Sequence, residues 1–273
     1  MPQFYSHLGP SMTSEYPEAD ARVEEHYRSL LAARYTWMMG GLDSCLNGAR
    51  ELLASTGALE AGAGSVLDLG CGPGFHARAL AASGKRVVAV DNSAALLREL
   101  SDVCAGVGAG AVVPIQAELS DTERFASFGP FKTILCVGDT LTHLRSLYVV
   151  DELIDDLSRV LSPGGLLILE FREQPRDLSG QDAVLTLRAE RDRIMQCVLH
   201  FEPECVWITD VVHEWADGKW HVMKSSYPKL RLSAARILSR AAAAGLQVHS
   251  DSMRAGRRVL ALRADYAPAP ALA

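Results

Sequence analysis

Between residues 66 and 171 the chain holds five short runs that are apolar almost throughout, three of them followed by a helical stretch. The runs are 66–69, 86–90, 112–116, 133–137 and 166–171, and the helical patterns cover 75–82, 94–100 and 147–161. A strand with one wet face alternates apolar and polar residues, whereas a strand covered on both faces does not. Continuous apolar strands separated by helices therefore predict a parallel sheet with helices on both sides. Right-handed crossovers between such strands lead to an α/β, doubly wound, Rossmann-like fold.

The flanks read differently. Residues 19–39 carry Val23, His26, Tyr27, Leu30, Leu31 and Arg34 at helical spacing, and 42–55 forms a second helical stretch beyond Gly40-Gly41. Residues 183–232 hold four strand-like segments, at 184–190, 194–201, 205–215 and 220–226, with Asp217-Gly218 marking a hairpin between the last two. A helix follows at 233–244, then strands at 246–250 and 257–263 joined at Ala255-Gly256. The expected organisation is a helical N-terminal cap (1–64), a main domain (65–182 and 233–273) and an antiparallel β insertion (183–232). Pro268-Ala269-Pro270 should fray at the end.

Composition narrows the class. Thirty-three acidic against 27 basic residues leave a charge of −6, which argues against a basic face that grips nucleic acid. No apolar run reaches the length of a membrane span, so no membrane partner is expected. Met1-Pro2-Gln3-Phe4-Tyr5 lacks the basic start of a secretory leader. Six scattered cysteines without a Cys-x-x-Cys pair suit a reducing cytoplasm better than a disulfide framework.

The segment Val66-Leu67-Asp68-Leu69-Gly70-Cys71-Gly72-Pro73-Gly74-Phe75 leaves a strand and opens a helix. Glycines at alternate positions let the backbone turn tightly and approach a ligand closely. The helix that follows presents free N–H groups to an anionic group. The second run ends in Asp91, placed to accept from ribose hydroxyls. Together these residues resemble the first motif of the class I S-adenosylmethionine-dependent methyltransferases, and the resemblance puts Asp91 at the ribose. A nicotinamide fingerprint would space its last two glycines further apart.

The resemblance continues through Ile115-Gln116-Ala117-Glu118-Leu119, where the family contacts adenine, and through Leu161-Ser162-Pro163-Gly164-Gly165 before the fifth strand. The terminal strand pair matches the reversed hairpin that closes this family's sheet. As implied by the resemblance, S-adenosylmethionine is the methyl donor. Its site would comprise Asp68, Gly70, Cys71, Gly72, Gly74, Asp91, Asn92, Ala117, Glu118, Leu119, Val137 and Tyr27.

The stretch Gly138-Asp139-Thr140-Leu141-Thr142-His143-Leu144 resembles the fourth-strand motif of glycine N-methyltransferase and related small-molecule enzymes, which reads Gly-Asn-Ser-Phe-Ala-His-Leu. Glu170-Phe171-Arg172 follows the fifth strand where those enzymes carry Asp-His-Arg, whose arginine binds a substrate carboxylate. Pro228-Lys229-Leu230-Arg231-Leu232-Ser233 resembles their return from an inserted sheet. Asp139 departs from the family's asparagine and points away from glycine itself.

A methyl transfer from a sulfonium needs an aligned, neutral nucleophile and a water-excluding site. Asp139 is positioned to hydrogen-bond an amine, Arg172 to clamp a carboxylate, and His143 is the candidate base. Tyr27, Tyr35 and Trp37 offer aromatic faces to a sulfonium. Cys197, Cys205, His200, His213 and His221 lack metal-ligand spacing, and no Asp-Asn pair accompanies Asp139, so no metal is expected.

The reading is methylation of a small molecule, an amine or amino-acid-like acceptor. Transfer to oxygen or carbon stays open, as does a non-catalytic cofactor-binding partner. Methylation of RNA is disfavoured by the acidic balance. An inserted sheet is a common source of subunit contact, which leaves a homo-oligomer open.

Overall fold

A computed structural model describes residues 19–62, 64–108, 111–174 and 177–265. The first five residues and the Pro268-Ala269-Pro270 tail lie outside the described residues. Five strands follow the expected runs: β1 (Ser65–Leu69), β2 (Arg86–Asp91), β3 (Val112–Gln116), β4 (Phe131–Cys136) and β5 (Leu161–Phe171). Four more, β6 (Val184–Ala189), β7 (Arg193–Phe201), β8 (Cys205–Ala216) and β9 (Lys219–Leu230), form a separate antiparallel sheet. The last two, β10 (Leu246–Arg254) and β11 (Arg257–Ala264), rejoin the first.

The main sheet has seven strands in the order β10-β11-β5-β4-β1-β2-β3. β1 pairs in parallel with both β2 and β4, while β11 runs antiparallel to β5. The doubly wound reading with a reversed terminal hairpin therefore holds. β3 is one of the two edge strands, which is why it tolerates Pro114.

Side-chain alternation divides the core in two. Leu67, Leu69, Val88, Val90, Ile134, Leu167 and Leu169 face one way, against α7 (Leu147–Val160) and α8 (Ala234–Ala243). Val66, Val87, Ala89, Leu135 and Ile168 face the other, against α3 (Leu42–Ser55), α4 (Phe75–Ala82) and α5 (Ala94–Val103). Helix starts follow local chemistry: Ser93, Ser146 and Ser233 accept from the third backbone N–H of α5, α7 and α8. A short α6 (Glu123–Ala126), too brief to show periodicity, precedes β4.

The N-terminal stretch departs from the single helix expected over 19–39. It breaks into α1 (Ala19–His26), a π turn (Tyr27–Leu31), a 3-10 turn (Ala32–Arg34) and α2 (Tyr35–Met38). On an unbroken α-helix, side chains eight residues apart point about 80° apart. The altered turns instead bring the Tyr27 and Tyr35 rings to 6.4 Å. This segment lies across the four-stranded sheet, with Val23, Leu30 and Leu31 packed on Cys197, Val206, Ile208, Met195 and Val212.

Candidate active site

The glycine loop lies at the carboxyl ends of β1 and β4, where strand order reverses. Ligands of doubly wound sheets bind at such switch points. Gly70 takes φ +65°, and a Cβ there would stand 2.2 Å from Thr140 Cγ2. Gly74 takes φ +83° at the start of α4. Both positions exclude larger residues for backbone and contact reasons together.

Gly72 is open in a different sense. A Cβ added there would have only Tyr35 Cε1 nearby, at 3.9 Å across the cleft. Its N–H donates to Asp91 Oδ2 at 2.9 Å, and the Ser93 N–H donates to Asp91 Oδ1 at 2.8 Å. Each Asp91 oxygen keeps accepting capacity beyond these bonds. Burial pushes the Asp91 carboxyl upward, and the two N–H donors pull it back. The Asn92 amide donates to Glu118 Oε1 at 3.2 Å, tying the turn after β2 to the turn after β3. Gly70, Gly72, Asp91, Asn92, Ala117, Glu118 and Leu119 all line this narrow cleft.

A second cavity of about 520 Å³ lies between the main sheet, the N-terminal turns and the four-stranded sheet. The two spaces share four residues: Tyr27, Tyr35, Gly138 and His143. His143 stacks on Tyr227 at 5.5 Å and meets Tyr27 edge-on at 5.8 Å. Gly138 is held by its N–H donating to the buried Glu170 carboxylate at 2.9 Å. Burial pushes the Tyr35 phenol up to about 12 and that of Tyr27 well above its ordinary value, so both rings stay neutral.

Several residues singled out in the sequence take other positions. Asp139 accepts from Lys229 Nζ at 2.7 Å and from the Arg172 N–H at 2.8 Å, so its carboxylate is already engaged. Burial alone would raise the Asp139 carboxyl, but the Lys229 ammonium outweighs it and holds the group below the usual range. His143 is driven down to about 3 by burial and by Lys229. It is neutral at physiological pH and a weak proton acceptor, which argues against the role of base. The Arg172 side chain lines the second cavity and donates to the Gly256 carbonyl at 3.4 Å.

Asp68, Cys71, Gly74 and Val137 do not line either space. Asp68 is 1 % exposed, and burial pushes its carboxyl up to about 7. Cys71 and Val137 are buried against the helix-covered side of the sheet. Trp37 lies beside the Arg193 guanidinium, 4.9 Å from the ring centroid, and is not among the cleft residues. Cys197 faces the second cavity whereas His200 points outward, as strand alternation dictates. Among the described residues no three potential ligands gather around a metal position.

The sequence reading missed the roles of Tyr227, Glu170, Arg257 and Asp210. Asp210 lies 3.1 Å from His26 Nε2, with both side chains buried, and Tyr227 stacks on His26 at 4.1 Å. A buried acid in a strand facing a histidine was the available signal. Their pairing crosses more than 180 residues, which no local pattern reveals.

Residues 66–165 match a family described as a methyltransferase domain. The chain is 32 % identical over 128 residues to a glycine/sarcosine N-methyltransferase of Parasynechococcus marenigrum, covering 46 % of this chain and 44 % of that protein. It is 30 % identical over 172 residues to a demethylmenaquinone methyltransferase of Clavibacter sepedonicus, covering 60 % and 65 %. The chain thus spans less than two thirds of these relatives. Among solved structures, the sugar N-methyltransferase KedS8 from a Streptoalloteichus species shares the fold with a TM-score of 0.65 at 16 % identity, over 97 % of this chain and 99 % of that one.

Proposed function

We propose that the chain is a class I S-adenosylmethionine-dependent methyltransferase that transfers the donor's methyl group to a small molecule carrying an amine. The observation that carries this reading is the four-residue junction between the cleft and the second cavity. A donor lying in the cleft would meet an acceptor only at that junction, and the roof of helix and inserted sheet suits a compact molecule better than a polymer.

The cleft fits the donor. Asp91 has spare lone pairs for a ribose diol, Gly72 leaves the backbone bare, and residues 117–119 face the same space. Bound there, S-adenosylmethionine supplies an electrophilic methyl group. Tyr27 and Tyr35 present neutral rings at the junction, suited to a cationic centre through cation–π attraction. They also exclude water from it.

No strong base stands at the junction. His143 is neutral and weakly basic, and Asp139 is bound to Lys229. The acceptor amine therefore has to arrive unprotonated, with His143 offering at most a hydrogen-bond acceptor. Nitrogen as the acceptor atom is supported by the names of the glycine/sarcosine and sugar relatives. The demethylmenaquinone relative makes carbon the rival. Six free cysteines are in keeping with a cytoplasmic setting.

The test is incubation with methyl-labelled S-adenosylmethionine and a cell extract, followed by separation of small molecules from macromolecules. Label in a small amine is expected. Label confined to RNA or protein would overturn the small-molecule reading, and label on a carbon would overturn the amine.

A further inference from the structure

Three carboxylates line the second cavity, and one of them is only half engaged. Asp139 accepts from the Arg172 N–H at Oδ1 and from Lys229 at Oδ2. Glu173 accepts from the Ala234 N–H at Oε1 and from Arg258 at Oε2. Asp210 differs: Oδ2 lies 3.1 Å from His26 Nε2, while Oδ1 is buried and accepts no hydrogen bond among the described residues.

The setting makes that oxygen conspicuous. On β8, Val206, Ile208, Asp210 and Val212 share one buried face, so Asp210 interrupts an otherwise apolar stripe. The residue is 2 % exposed, and it lines the cavity beside Ile208, Cys197 and Tyr227. A buried carboxylate oxygen without a donor is costly, and a ligand that brings a donor removes that cost. Asp210 also lies in register with the junction to the cleft. The Tyr227 ring stacks on His26 at 4.1 Å and on His143 at 5.5 Å, so two ring-to-ring steps link the partner of Asp210 to a residue shared by both spaces.

We propose that Asp210 is a specificity-determining residue, which accepts a hydrogen bond from a second polar group of the acceptor, an O–H or N–H set beyond the nitrogen that takes the methyl group. This rests on the reading of the cavity as the site of an amine acceptor. A simple alkylamine would fill the same space and leave Oδ1 unmatched. Sites built to hydrogen-bond a ligand discriminate strongly against the analogue that lacks the donor.

The probes are 4-amino-1-butanol, 1,4-diaminobutane and their one-ended twin n-pentylamine, with the corresponding sets two carbons shorter and longer. Each is titrated into the full chain by ligand-observed NMR, with and without saturating S-adenosylhomocysteine. At one chain length a two-ended probe should bind about tenfold more tightly than its twin, and the alcohol and diamine arms tell a neutral donor from a charged one. Asp210→Val should erase that preference, and the isosteric Asp210→Asn should cut it about threefold or more, with S-adenosylhomocysteine affinity unchanged in both. No preference at any chain length, or one that Asp210→Asn leaves intact, would overturn the proposal. Failure of the wild-type chain to bind S-adenosylhomocysteine would instead strike the methyltransferase reading, while the titrations without it still decide the role of Asp210.

Discussion

The narrow cleft proposed for the donor and the second cavity proposed for the acceptor are built by opposite strategies. The cleft takes its residues from turns that directly follow strands: Gly70 and Gly72 after β1, Asp91 and Asn92 at the end of β2, residues 117–119 after β3. Each is placed by its own strand, and parallel pairing sets the strands side by side. The cavity draws on the N-terminal turns, β4, β5, the inserted sheet and the terminal hairpin, with Arg172 and Arg257 far apart in sequence. Cleft geometry is therefore inherited from the sheet, whereas cavity geometry depends on how two sheets and a broken helix pack.

The contrast can be broken experimentally. The largest effect is expected at the seam. Lys229→Met strands the Asp139 carboxylate, whose side chain is 7 % exposed, and should cost ~3 kcal/mol of stability in denaturant unfolding. Asp139→Asn on top of it should recover most of that loss. No recovery would mean that Lys229 acts through packing alone.

Asp91→Ala removes the acceptor of two backbone N–H groups and the proposed ribose contact. Affinity for S-adenosylhomocysteine should fall on the order of a hundredfold, or ~3 kcal/mol, in a calorimetric titration. An affinity within threefold of the unmodified chain would remove Asp91 from the donor's contacts.

The pH profile sharpens the comparison on the acceptor side. The shift of His143 down to about 3 leaves it neutral across the assay range, so it adds no inflection near neutrality. The value of kcat/KM should rise about tenfold per pH unit below the acceptor amine's own pKa, then level off. Exchanging the acceptor for a less basic amine should move the inflection down with it. An inflection that stays fixed when the amine changes would assign the titration to the protein.

The linkage of Asp68 is smaller and concerns stability. Its carboxyl is raised to about 7 by burial, so the folded state holds the proton more tightly than the unfolded state does. That contribution is complete below about pH 4 and is lost as pH rises through 7. Asp68→Asn should flatten this decline, read as midpoint urea concentration against pH. The smallest effect is expected at Val248, 55 % exposed on edge strand β10: Val248→Thr should shift stability by less than ~0.5 kcal/mol.

Local chemistry set much of the fold. All five apolar runs became strands, four of them buried along most of their length and edge strand β3 only partly, and 42–55 and 75–82 match α3 and α4 in their bounds. Asp217-Gly218, at φ 51° and 75°, makes the hairpin turn that the dipeptide announces. Gly70, Gly72 and Asp91 were legible as cleft residues because each directly follows or ends its own strand, β1 or β2. Tyr27 and Tyr35 were visible as aromatic residues, but not as neighbours, because a π turn and a 3-10 turn replace the regular helix.

The sequence alone therefore determined the doubly wound sheet and the tight glycine loop, since hydrophobic period and glycine spacing act over a few residues. Only the tertiary structure decided that Asp139 is committed to Lys229, that His143 is held neutral, and that Arg172 shares a turn with Arg257. Those outcomes depend on burial and charge contributed by residues dozens to hundreds of positions away, and a pairwise energy exists only once packing has brought its partners together.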